Sequence, residues 1–378
     1  MMSQDHVAAR PELAVARRIV IKIGSSSLTS VAGGLSADRI DALVDALAGK
    51  RADGAQVVLV SSGAIAAGLS PLGFKNRPRE VASQQASASV GQMLLIARYA
   101  ASFARYGVTV GQVLLTAEDV IRRAHYRNAL RTFERLLELG AVPVVNENDT
   151  IATGEIQFGD NDRLAALVAH LVRADALVLL SDVDGLYTND PKKAGASLID
   201  TVRGPRDVQE VDTSGSSGSG LGTGGMASKI AAAELATDAG IHAVVTSAAN
   251  AAAAMRGERV GTHFLPTSGR APARELWLRH ATNARGVLVL DDGATHAVRE
   301  RGASLLAAGI IEVRGLFVAG DPVDLITTGG DAVGRGLVGF DSDELPALLG
   351  LRSDEIAVEQ RREVVHRDDL VLVAGRAR

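Results

Sequence analysis

The sequence predicts an α/β protein: an open, mainly parallel sheet sandwiched by helices, followed by a small, mainly β C-terminal domain. Three observations predict it. Short runs rich in β-branched residues are apolar at most positions on both faces, as strands buried on both faces require. These runs alternate with longer segments of helical pattern, as in successive βαβ units. After Pro266 the alternation gives way to short strands separated by turns.

In chain order, the strand runs are Arg18–Ile23, Gln56–Val60, Val108–Leu115, Val142–Val145, Ala176–Leu180 and Ala243–Thr246. Helix candidates lie between them at Ala37–Arg51, Val81–Arg105, Val120–Leu139, Asp162–Val172 and Met226–Ala239. Residues 1–15 scatter charges around no central apolar run, so they read as a disordered leader and not as a secretory signal. The α/β domain is expected over residues 16–262, and a linker with Gly269, Pro272 and Trp277 over 263–282. The second domain is expected over 283–378, with strands at Gly286–Leu290, Ile310–Val313, Val323–Thr327, Gly336–Gly339 and Leu370–Val373. Asp212–Gly225, almost all serine and glycine, reads as a mobile loop that ends at a helix.

Composition narrows the chemistry. With 378 residues and 47% hydrophobic content the chain can bury a core in each of two domains. Its apolar runs are strand-sized, well short of the roughly 20 residues of a membrane span. The absence of cysteine excludes disulfides, thiolate catalysis and cysteine metal sites, and fits a cytoplasmic protein. The eight histidines are dispersed without HxxxH or HExxH spacing, so any metal should be oxygen-bound. A net charge of −4 supplies no basic field for nucleic acid. The C-terminal part is more acidic still: residues 283–378 hold 11 arginines, no lysine and 16 acidic residues, a net of 11 − 16 = −5.

Ligands of open parallel sheets collect beyond the carboxyl ends of the strands, which makes the residues after each strand the candidates. Lys22-Ile23-Gly24-Ser25-Ser26-Ser27 sets a cation beside a glycine and three hydroxyls, suited to an anion, although a strand-end lysine is also an ordinary surface residue. Ser61-Ser62-Gly63 precedes a helix, where a serine either caps or holds a ligand's anionic group. Asn146-Glu147-Asn148-Asp149-Thr150 and Gly159-Asp160-Asn161-Asp162 concentrate more polar groups than capping uses, and a free amino acid would satisfy them. Calcium is the rival occupant, but DxDxDG spacing is absent. Ser181-Asp182-Val183-Asp184-Gly185 is either a plain turn or part of a nucleotide site. Gly222-Thr223-Gly224-Gly225-Met226-Ala227-Ser228-Lys229 brings backbone amides, a helix N-terminus and a lysine together, as phosphate binding requires. It does not meet the Walker spacing GxxxxGK[ST], and the GxGxxG within it follows no strand.

In this order the motifs KIGSSSLT, SSGAIAAG, NENDT, GDND, SDVDGLYT and GTGGMASK resemble the amino-acid kinase superfamily, in particular its glutamate-phosphorylating branch. The segments Asp291-Asp292-Gly293-Ala294, Gly302-Ala303-Ser304-Leu305-Leu306 and His366-Arg367-Asp368-Asp369-Leu370 resemble a PUA domain. The resemblance implies a transferase that uses ATP and magnesium to phosphorylate the γ-carboxylate of L-glutamate, giving L-glutamyl 5-phosphate at the start of proline biosynthesis. It also implies a homo-oligomer, dimer or tetramer, and handover of the product to glutamyl phosphate reductase. Carried over, it places Lys22, Lys229, Asp160 and Asp162 in catalysis, and leaves the direct magnesium ligands unassigned. ATP would meet Lys22, Gly24, Ser25, Ser181, Asp182, Thr223, Gly224, Gly225, Met226, Ala227, Ser228 and Lys229, and glutamate would meet Ser62, Gly63, Asp149 and Asn161.

Overall fold

The computed structural model describes residues 10–29, 34–116, 119, 123–151, 161–189, 195–208, 211, 225–266, 278, 284–351, 355, 357 and 361–372. The chain divides into two compact units, residues 1–271 and 272–378.

The first unit is built on an eight-stranded sheet. Its strands are β1 (Arg18–Ile23), β2 (Gln56–Ser61), β3 (Val110–Leu115), β4 (Val142–Glu147), β5 (Ala176–Ser181), β6 (Thr201–Val202), β7 (His242–Ser247) and β8 (Thr262–Phe264), in the order β3-β4-β2-β1-β5-β7-β8-β6. The six longer strands run parallel, and β8 turns back against β7 with β6 parallel to it. The continuous apolar runs are explained by position: β1, β2, β4 and β5 are interior strands whose residues are almost all buried, because helices cover both faces. Lys22 lies opposite Val60 and Leu179, and Val60 opposite Val145, so these four strands end at one level and deliver their following residues to one edge.

Helix Ala37–Ala52 buries Ile40, Leu43, Val44 and Leu47, the stripe that a 3.6-residue period produces, against this sheet. Helices Ala64–Leu69 and Val81–Ala104 cross at van der Waals contact of their backbones. A Cβ on Gly68 would lie 1.9 Å from the Ser87 carbonyl oxygen, and one on Gly91 1.8 Å from that of Ala64. Only glycine permits this approach. The Asn161–Leu171 helix is buried nearly all round, wedged between the sheet and helix Met226–Asp238.

In this unit the strand ends lie within two residues of the expected ones, the usual latitude of element boundaries, whereas in the second unit the strands expected to start at Gly336 and Leu370 begin at Ala332 and Val365. Two larger differences concern the domain limits. The leader expected to be disordered through residue 15 is built into the fold from Arg10: Pro11–Ala14 form a helical turn and Leu13 is fully buried. The physical cause is the Arg10 guanidinium, which donates to the carbonyls of Val260 (2.5 Å), Asp200 (3.0 Å) and Gly261 (3.0 Å) and to Asp200 Oδ1 (3.1 Å). Lys50 Nζ meanwhile donates to the carbonyls of Leu13 and Ala14. At the other end, β8 carries the sheet into the expected linker, to Phe264. The serine- and glycine-rich segment up to residue 224 lies outside the described residues.

The second unit holds a five-stranded sheet. Strands β9 (Gly286–Leu290), β10 (Ile310–Gly315), β11 (Pro322–Thr327), β12 (Ala332–Val338) and β13 (Val365–Leu372) take the order β10-β9-β11-β12-β13, antiparallel except for β9 with β11. Leu288, Leu290, Val298, Phe317, Val323, Leu325 and Phe340 form its own core. The one sizeable helix among the described residues of this unit, Asp292–Arg301, starts at an Asp291 side chain that accepts from the Ala294 N–H at 2.6 Å and stops at Gly302, whose φ is +57°. That stop makes β9–helix a single capped unit in an otherwise β domain.

Candidate active site

The site grows from two consecutive residues at the start of the Asn161–Leu171 helix. Successive positions on a helix point about 100° apart, so Asn161 and Asp162 serve different neighbours. Asp162 is fully buried and takes two cations: Lys22 Nζ from β1 lies 2.5 Å from its Oδ1, and Lys229 Nζ from helix Met226–Asp238 lies 3.0 Å from its Oδ2. Both lysines are nearly buried, 3% and 6% exposed. Two positive charges thus share one negative charge in a site with little water, an arrangement that favours a further anion. Ser228 Oγ, one residue before Lys229, bonds the Gly225 carbonyl at 2.8 Å and Asp162 Oδ2 at 3.3 Å. It ties the start of that helix to the same carboxylate. Gly24 adjoins the cluster, since a Cβ there would lie 3.9 Å from Lys22 Nζ. Ser25 follows it in the one-turn helix Ser25–Leu28.

Asn161 faces the other way, toward β2 and β4. Its Nδ2 donates to Asn146 Oδ1 (2.8 Å), Ser62 Oγ (3.0 Å) and the Ser61 carbonyl (3.1 Å). Its Oδ1 is buried without a hydrogen-bond partner. Such an orphan costs roughly 1–3 kcal/mol in a closed fold and calls for a ligand donor. Helix capping does not account for Ser62: the cap of helix Ala64–Leu69 is Gly63, at φ +101°, with no side-chain cap bond. Ser61 is held beneath by Tyr99, whose hydroxyl lies 2.9 Å from Ser61 Oγ. Asp149, beyond the end of β4, has its carboxyl pushed up to about 6 by burial, opposed by the charge of Arg77. A cationic ligand group would relieve that burial.

The fold therefore gathers Lys22, Gly24, Ser25, Asp162, Gly225, Ser228 and Lys229 on one side of the helix start, and Ser62, Gly63, Asn161 and Asn146 on the other. Ser181 and Asp182 stand at the end of β5, where Ser181 Oγ bonds Asp182 Oδ1 at 3.1 Å, Ser181 buried and Asp182 exposed. Met226 and Ala227 open the lysine-bearing helix, Ala227 exposed. Asp160, Thr223 and Gly224 lie outside the described residues. Sequence reasoning missed the supporting residues Gln92, Tyr99 and Arg77. The signal available for Gln92 was a polar amide beside Gly91 in the middle of a long helix.

Residues 17–247 match the amino acid kinase family and residues 286–359 the PUA domain. Glutamate 5-kinase of Streptomyces avermitilis is 61% identical over 371 residues, spanning 97% of this chain and 99% of its own length. That of Thermobifida fusca is 58% identical over 369 residues, spanning 96% of this chain and 95% of its own length. Among solved structures, carbamate kinase from Giardia lamblia bound to AMP-PNP aligns at 16% identity and a TM-score of 0.48, over 67% of this chain and 99% of its own. The chain belongs to the amino acid kinase family and, within it, to the glutamate 5-kinases.

Proposed function

We propose that ATP phosphates occupy the lysine side of the Asn161–Asp162 turn and glutamate its amide side, so that the γ-carboxylate meets the γ-phosphoryl group across that turn. The reaction is the ATP-dependent phosphorylation of the γ-carboxylate of L-glutamate to L-glutamyl 5-phosphate, the first step of proline biosynthesis. The single observation that carries the placement is the adjacency of two unlike clusters on consecutive residues.

Glutamate's side chain has a pKa of about 4.3, so the attacking oxygen is already anionic near neutral pH and needs no general base. The obstacle is repulsion between that oxygen and the phosphoryl oxygens. Lys22 and Lys229 offset it, one from each flank, while Asp162 holds both ammonium groups at fixed positions. Ser62, Gly63, Asn161 and Asp149 orient glutamate, with Asn161 Oδ1 and the Asp149 carboxylate facing its ammonium group. Gly24, Ser25, Ser181, Asp182 and the segment Thr223–Ser228 surround the nucleotide.

Among the described residues no three His, Cys, Asp or Glu side chains cluster as a metal cage. That suits magnesium arriving on the phosphates, since such an ion keeps several waters and takes one or two protein carboxylates. Both Asp162 oxygens are engaged by lysines, which would leave the ion to the phosphates and solvent. Bound there, magnesium would neutralise charge on the β- and γ-phosphates. No helix among the described residues is long and apolar enough to cross a membrane. A cytoplasmic homo-oligomer that passes its labile acyl phosphate to glutamyl phosphate reductase completes the proposal, with residues 10–264 as the kinase domain and 283–378 as the PUA-like one. Trapping the product with hydroxylamine, using glutamate, aspartate and N-acetylglutamate side by side, tests it. Hydroxamate from glutamate alone is expected, and turnover of aspartate alone would overturn it.

A further inference from the structure

Three amide side chains form a chain of fixed direction beneath the glutamate side of the site. The backbone N–H of Glu147 donates to Asn146 Oδ1 at 2.9 Å, and Asn161 Nδ2 donates to the same oxygen at 2.8 Å. An amide oxygen only accepts, so these two donors fix which end of Asn146 is which. Asn146 Nδ2 must then point the other way, where it donates to Gln92 Oε1 at 2.7 Å. The consequence is an unmatched atom at each end, both buried: the acceptor Asn161 Oδ1 and the donor Gln92 Nε2. Three acceptors around Asn161 Nδ2 exclude the flipped amide there. A chain selected for stability alone would close its ends.

We propose that Gln92 is a positioning residue for the amino-acid substrate: by accepting from Asn146 Nδ2 it holds the Asn146–Asn161 amides so that Asn161 presents an oxygen, not an NH2 group, to the substrate's ammonium. The proposal rests on the placement of glutamate at Asn161. Gln92 itself need not touch glutamate. It sits on helix Val81–Ala104, which the Gly68–Gly91 crossing holds against the helix that follows Ser62. The same backbone contact therefore sets the height of Gln92 and the position of Ser62. The geometry also separates substrates chemically. A free ammonium has protons for Asn161 Oδ1 and the Asp149 carboxylate together, whereas an N-acylated amino group has one N–H and no charge.

The test uses the full-length enzyme with steady-state kinetics in both substrates. Gln92→Met keeps the length of the side chain but removes the acceptor. It should raise KM for glutamate about tenfold or more, leave kcat within about threefold and leave KM for ATP unchanged. Gln92→Glu keeps an acceptor for Asn146 Nδ2 and should restore KM for glutamate to within about threefold of the parent. Selectivity for glutamate over N-acetylglutamate should fall in Gln92→Met and recover in Gln92→Glu. If Gln92→Met loses its thermal transition, Gln92→Asn withdraws the acceptor by one methylene and carries the same expectation. Equal effects of Met and Glu, a loss confined to kcat or to KM for ATP, or no change at all would overturn the proposal. Asn161→Ala, which removes the presented oxygen, separates the two layers: unchanged KM for glutamate there overturns the placement and the proposal together, whereas a raised KM with a silent Gln92→Met overturns the Gln92 proposal alone.

Discussion

Replacing Asp162 with asparagine removes one charge and almost no volume, and its consequences can be worked from the geometry. In the parent, Lys22 and Lys229 approach opposite oxygens of a carboxylate with no exposed surface, at 2.5 and 3.0 Å. At an effective dielectric constant of about 20, unit charges ~4 Å apart attract by roughly 4 kcal/mol. Removing one partner of a buried pair typically costs about 3–5 kcal/mol, because the remaining charge stays buried. Here two lysines lose the same partner, and the new NH2 group must face one of them. The expected loss is at least the lower end of that range. For a domain of this size, about 2–4 °C per kcal/mol turns a loss of about 3–5 kcal/mol into a Tm lowered by roughly 6–20 °C. The distinguishing signature is the response to ATP. Phosphates bring negative charge to the two ammonium groups that have lost this carboxylate, so ATP should raise Tm more in Asp162→Asn than in the parent, and bind more tightly. Turnover should still fall by ~10²-fold or more, because the lysines are no longer held in place. Differential scanning fluorimetry with and without ATP, alongside hydroxamate formation, measures all three. A Tm within about 2 °C of the parent, together with an equal ATP shift, would refute the view that Asp162 is the shared counter-ion.

Lys229→Ala should lower kcat by ~10²–10³-fold while glutamate binding by calorimetry changes little, since the lysine serves the transferring phosphate. Asp149 gives a pH dependence of known sign. Its carboxyl is pushed up to about 6, and only the ionised form attracts an ammonium group, so KM for glutamate should rise as pH falls below 6 and level off above it. Asp149→Asn should raise KM and flatten that profile, and a parent KM constant from pH 5 to 8 would remove Asp149 from the site. Gly91→Ala places a methyl carbon 1.8 Å from the Ala64 carbonyl oxygen; chemical denaturation should show a loss of several kcal/mol, or no folded protein. The second unit should show no RNA gel shift at low salt, because residues 283–378 carry a net charge of −5.

The sheet was legible because interior parallel strands leave an unambiguous trace. Ala176–Leu180 is apolar throughout and Ile19–Ile21 and Ile23 are apolar in Arg18–Ile23, runs too short for a helix and rich in the residues of buried strands. The two site lysines were legible for a related reason, as charges placed at the end of such a strand and at the start of a helix. What one-dimensional reading could not reach were contacts whose partners are far apart in the chain. Arg10 reads as one more charge in a polar leader, yet its partners Val260 and Gly261 stand 250 and 251 residues away. Gln92 lies 54 residues from Asn146, and its one local cue, the neighbouring Gly91, does not name a partner, because a helix interior tolerates glutamine anywhere. The helix Asp292–Arg301 escaped for a different reason. It is short and buries Val298 alone, and its Asp-Asp-Gly start reads equally well as a turn.

Asn161 and Asp162 also explain why a kinase for a carboxylate needs so little acid–base machinery. The acceptor arrives ionised, so the protein has no proton to remove, and the problem reduces to holding two anions in line. A lone lysine between them would be free to follow either one. Fastening two lysines to a single carboxylate makes the cationic field stiff before substrates bind, which is the preorganisation that electrostatic catalysis requires. On the proposed placement, Asn161 on the neighbouring residue of a buried helix would then fix the distance between the two anions through a rigid element and not through a loop. A one-residue insertion between positions 161 and 162 should accordingly abolish turnover. It would rotate the lysine cluster by about 100° relative to the amide cluster while leaving the chemical identity of each intact.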